Sequence, residues 1–107
     1  MLWLLLACAA DPDPCTPMCE GAAALYGGCL TDWGADWSAA GYTDEADFLD
    51  ACTTWAFQMR ALEADAGRTG DVDAECTARE ARFTAEDATC EDYTGLDWNS
   101  PPWQEGT

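Results

Sequence analysis

The chain has 107 residues, of which 21 are acidic and four basic, with no histidine and a formal net charge of −17. Such a charge repels nucleic acid and anionic lipid headgroups, which are themselves polyanions. The absence of His and Lys removes an imidazole base, a Ser-His-acid arrangement and Schiff-base chemistry. The length suits one small domain, which buries little more than ~60% of its unfolded surface and so benefits from cross-links.

In chain order, Leu2 to Ala7 is a short apolar run that ends in a small residue before Cys8. A secretory signal joins an apolar stretch to a small-residue cleavage site, whereas crossing a bilayer takes ~20 apolar residues. Leu5-Leu6-Ala7-Cys8 resembles the lipobox of bacterial lipoprotein precursors. With its spaced cysteines, the chain as a whole resembles the small cysteine-rich lipoproteins of high-GC Gram-negative bacteria. The resemblance implies residues 1–7 as a signal peptide, Cys8 as the lipidated residue and membrane anchor, and 8–14 as a lipidated tether. By the sorting pattern of such proteins, Ala9 implies the outer membrane. The alternative is a secreted protein with an unmodified Cys8, similar to small secreted toxins or inhibitors. Pro12 and Pro14 favour extended backbone before them, and the tether is too short to be a long flexible arm, so it is expected to hold the domain close to the membrane.

A first helix is expected to start at Asp13-Pro14 or Thr16-Pro17, each a capping residue followed by proline. Cys15, Cys19, Ala22, Tyr26 and Cys29 recur at steps of three or four along one face. Gly27-Gly28 is expected to weaken its last turn. Residues 31–43 read as an irregular, tryptophan-bearing connection. The second helix runs from about Asp44 to Ala66, with Thr43 or Asp44 as its cap and acids in its first turn. Its stripe is Phe48, Cys52, Trp55, Met59, Leu62 and Ala66, widened by Leu49 and Ala56, with Phe57 pointing away. The third covers Asp71 to Asp92, with Val72, Cys76, Arg79, Phe83 and Cys90 on one face and a run of alanines on the other. Together these predict an all-α, three-helix, disulfide-stapled bundle over residues 15–93, followed by a C-terminal tail over 94–107.

Of seven cysteines, assigning Cys8 to lipid leaves Cys15, Cys19, Cys29, Cys52, Cys76 and Cys90. An even set in a domain this small reads as three disulfides in an oxidising compartment. Cys15 and Cys29 lie 14 residues apart, as do Cys76 and Cys90, a helical rise of ~21 Å. If the first and third helices run parallel, this equality allows Cys15–Cys76 and Cys29–Cys90, leaving Cys19–Cys52. It is one of the fifteen pairings that six cysteines permit.

No metal or cofactor is expected. Asp71-Val72-Asp73-Ala74-Glu75 opens like a calcium loop, but Cys76 stands where that loop needs glycine and Arg82 where it needs glutamate. The acids Asp44, Glu45, Asp47 and Asp50 read as a solvated helix start. The expected role is therefore non-catalytic, structural or partner-binding, at the cell envelope. A carboxylate-based glycan-cleaving enzyme is the other class considered; it needs two acids with separated pKa values in a cleft. Among six tryptophans, Trp55 belongs to the core. Trp33, Trp37, Trp98 and Trp103 stand in loops and tail, where they either cover the bundle or form a contact surface for a protein or glycan partner.

Overall fold

The computed structural model describes residues 13–96. Residues 1–7, Cys8, most of the tether, Trp98 and Trp103 lie outside the described residues. The fold is all-helical: α1 (Cys15–Asp32), α2 (Glu45–Ala64), α3 (Thr69–Phe83) and a short α4 (Cys90–Thr94). No helix among the described residues is long and apolar enough to cross a membrane.

The helix α1 starts at the first of its two expected caps. The Cys15 N–H and the Thr16 hydroxyl both donate to the Asp13 carboxylate, at 2.9 and 3.3 Å, and Pro14 needs no N–H there. Its inward face is wider than the cysteine stripe, because Met18, Ala23 and Leu30 are buried beside Cys15, Cys19, Ala22 and Cys29. The helix packs against each of the other three. It also continues through Gly27-Gly28 to Asp32, contrary to the expected weak end. A Cβ at Gly27 would come within 3.1 Å of the Trp37 ring, so that glycine admits an indole against the helix.

The helix α2 opens with Asp44 as its cap. The Asp47 N–H donates to Asp44 Oδ1 at 2.9 Å, and the Thr43 N–H donates to Asp47 Oδ2 at 2.9 Å. The stripe holds through Phe48, Cys52, Trp55, Ala56 and Met59 and then changes register. Leu62 is 60% exposed, whereas Glu63 is 2% exposed. The helix closes on Gly67, at φ 72°, with the Arg68 N–H bonded to Glu63 O at 2.9 Å and the Gly67 N–H to Ala64 O at 3.0 Å. That is the double bond of a Schellman ending. Arg68 also lays its guanidinium on the Glu63 carboxylate at 2.7 Å, and the ion pair compensates an acid in a place where leucine was expected.

The expected single third helix is two helices. α3 stops at Phe83, and α4 restarts at Thr89 with a reciprocal capping box between Thr89 and Asp92. That box is a start signal inside the expected helix. Arg82 reaches across the break to Asp87 and Asp92. The inward face of α3 is otherwise as expected, with Val72, Cys76, Arg79 and Phe83 buried.

Three disulfides join Cys15 to Cys76, Cys19 to Cys52 and Cys29 to Cys90, with Cα–Cα distances of 4.9, 5.8 and 6.0 Å. Both 61-residue bridges leave α1 in the order in which they reach the later segment, so α1 and α3 run parallel. The pairing from equal spacing survives the broken helix. The turn after Phe83 needs to cover only the part of a ~21 Å rise that α3 leaves unfinished. Non-reducing peptide mapping of the oxidised protein should recover these three linked pairs. A Cys15–Cys90 peptide would contradict the parallel arrangement.

Candidate functional site

The α1 face carries Tyr26 outward from the buried cysteines toward the connection and α4. There Tyr26 stacks on Tyr93 at 4.7 Å between ring centroids and meets Trp37 edge-on at 5.7 Å. Phe48, only 2% exposed, sits at the centre, 5.0 Å from Trp37, 5.2 Å from Tyr42 and 6.1 Å from Tyr93. The connection folds back to deliver Trp37 and Tyr42. The Ala39 N–H donates to Asp36 Oδ1 at 2.9 Å, and the Tyr42 N–H donates to Trp37 O at 2.9 Å.

On the outer side of this cluster lies an open cleft of about 230 Å3, lined by Tyr42, Phe48, Ala51, Cys52, Trp55 and Tyr93. Its rings form corners. Tyr42 and Phe48 stand at 83°, Phe48 and Tyr93 at 62°. Burial, with smaller effects from Tyr42 and Tyr26, pushes the Tyr93 phenol well above the usual range. Among the described residues no carboxylate lines the cleft, and the Cys52 sulfur is committed to Cys19.

The arginines are drawn into ion pairs elsewhere. Arg60 binds Asp73 through two bonds, at 2.7 and 3.0 Å, and faces Asp13 at 3.9 Å. Arg79 pairs with Glu75 at 3.0 Å. Arg82 holds the Asp87 carboxyl below the usual carboxylate range through their hydrogen bond and opposite charges. Asp13, Cys15 and Asp73 bring ligand-type atoms within 4.8 Å of one another. The Cys15 sulfur is bonded to Cys76, however, and Arg60 contacts both carboxylates. The calcium-like stretch beginning at Asp71 is α3 helix. A shallower hollow of about 180 Å3 beside Glu75, Arg79 and Arg82 is bordered by these mutually engaged charges.

The two expected surface tryptophans differ in exposure. Trp33 stays 55% exposed, with one edge contact to Tyr26 at 6.4 Å. Trp37 is half-buried against the core and meets the same Tyr26 ring at 5.7 Å. Trp98 and Trp103 lie outside the described residues. The cleft instead uses Trp55, a core position by sequence pattern, together with Tyr42 and Tyr93, which no sequence motif marks. Their positions were partly legible. Tyr42 stands two residues before the Asp44 cap, and Tyr93 one helical step beyond Cys90.

No protein-family model, curated protein or solved structure matches this chain.

The two loop tryptophans should behave differently. Trp37→Ala is expected to lower stability by at least ~2 kcal/mol, as removal of a packed aromatic does. Trp33→Ala should change it by under ~1 kcal/mol. Urea unfolding of both variants checks this, and equal losses would contradict the placement of Trp37.

Proposed function

We propose that this chain is a non-catalytic lipoprotein of the bacterial cell envelope, anchored through lipid on Cys8, whose domain offers an aromatic cleft for binding. The observation that carries this reading is the division of the sulfurs. Six cysteines pair within the domain, and the seventh is the one in Leu5-Leu6-Ala7-Cys8. Disulfide bonding fits an exported protein, and a lipobox supplies both the export route and the anchor. Ala9 after the modified residue favours the outer membrane.

A binding role is supported by the make-up of the cleft walls, which are aromatic and aliphatic, with the one sulfur bridged. Concave, mostly apolar clefts with a few polar groups suit ligand capture. Two or three acyl chains on Cys8 would give stable membrane attachment, where one gives only marginal binding.

Intact-mass measurement of the protein from its own host's membranes tests the reading. The expected species begins at Cys8, carries a diacyl or triacyl modification and is six hydrogens lighter than the reduced chain. Cys8→Ser should move the protein out of the membrane fraction. An unacylated protein whose sulfurs all react with alkylating reagent would overturn it.

A further inference from the structure

From residue 51 to residue 62, α2 carries no acid, and this is the longest acid-free interval in the chain. The outward side of that stretch is Thr54, Phe57, Gln58, Ala61 and Leu62, all exposed. Phe57 is 74% and Leu62 60% exposed, and they are two of the three large apolar side chains left in water among the described residues. A single such residue is ordinary on a protein surface. Here two share a neutral strip on a chain of net charge −17.

The start of the described chain lies beside this strip. Arg60, inside the acid-free interval, faces Asp13 at 3.9 Å and binds Asp73 of α3 at 2.7 Å. Phe57 stands one turn before Arg60, and Ala61 follows it directly. Cys8 is five residues before Asp13, so covalent geometry keeps it within ~18 Å of Asp13. A surface that holds Cys8 therefore meets the domain near the seam of α2 and α3. Charge chooses between the two helices. α3 carries Asp71, Asp73, Glu75 and Glu80, whereas α2 offers its acid-free side. The net charge repels anionic headgroups, which leaves zwitterionic ones.

We propose that the outward side of α2 over residues 54–62 lies on a zwitterionic lipid surface, with Phe57 and Leu62 entering the boundary between headgroups and acyl chains. Interfacial helices bind in this way, by burying an apolar face in that boundary. Two side chains bury too little apolar surface to draw a protein from solution. A lipid on Cys8 makes their contact intramolecular and raises its effective concentration, so a weak face becomes enough to orient the domain. This inference rests on the membrane anchoring proposed above.

The test supplies the anchor chemically. The full oxidised chain is coupled through Cys8 to a maleimide headgroup in phosphatidylcholine nanodiscs that contain a nitroxide-headgroup lipid, and amide line broadening is read by two-dimensional NMR. The amides of Phe57, Ala61 and Leu62 should broaden at least twofold more than those of Ala74 and Thr77, which are exposed on α3 on the other side of the Arg60–Asp73 pair. Phe57→Gln combined with Leu62→Gln should abolish the difference. Both side chains face water, so the circular dichroism spectrum and melt should be unchanged. Equal broadening on the two helices, or a preference for α2 that survives the double substitution, would overturn the proposal. So would a dimer of the uncoupled chain in sedimentation that the double substitution removes, because the face would then belong to a second copy. With the link made chemically, failure here leaves acylation of Cys8 standing, and an unacylated native protein leaves this comparison unaffected.

Discussion

Every disulfide in this domain has one end on α1. Cys15 ties it to α3, Cys19 to α2 and Cys29 to α4. The helix thus works as a spine, and the other elements are positioned by where they are fastened to it. The interior explains the need. Of twelve buried apolar residues among those described, four are half-cystines and three are alanines. Few large side chains remain to supply burial energy, so the sulfurs serve as core and cross-link together. In the chain-entropy account, bridges across 33 and 61 residues contribute ~4 kcal/mol each. That is comparable with the ~5–15 kcal/mol that keeps a domain folded.

The charge balance sharpens the same constraint. Four arginines are set against 21 acids, and all four are engaged. Arg60 joins α2 to α3 through Asp73, Arg68 covers the buried Glu63, Arg79 pairs along α3 with Glu75, and Arg82 holds the restart of α4 through Asp87 and Asp92. Three of the four cations therefore sit where the chain turns or where helices meet. Most other acids face water and repel one another, a cost to the compact state. The staples hold the bundle against that repulsion, and the aromatic cluster at the Cys29–Cys90 end fills what the small core leaves open.

The sequence made some of this readable. Periodic cysteines mark the inward face of α1, the Asp44 cap marks the start of α2, and equal cysteine spacing points to the observed pairing. The misses share a cause, since local pattern does not show which neighbour a side chain meets. Leu62 fits the apolar stripe, yet Glu63 turns inward because Arg68, placed by the Gly67 turn, is there to neutralise it. A continuous third helix fits the alanine run, yet the Thr89–Asp92 box restarts the chain. Trp37 looks like a loop residue, yet Gly27 opens a place for it on α1. The cleft was the least legible feature, because Tyr42, Trp55 and Tyr93 come from three separate segments.

Reduction tests the spine most directly. The oxidised domain and the same protein held fully reduced would be compared by circular dichroism at neutral pH and low ionic strength. The reduced chain should lose most of its helical signal and its cooperative melt, and should regain part of the helix when added salt screens the acids. A reduced chain that keeps the helical content and melting temperature of the oxidised form would contradict the claim that the α1 bridges hold the fold together.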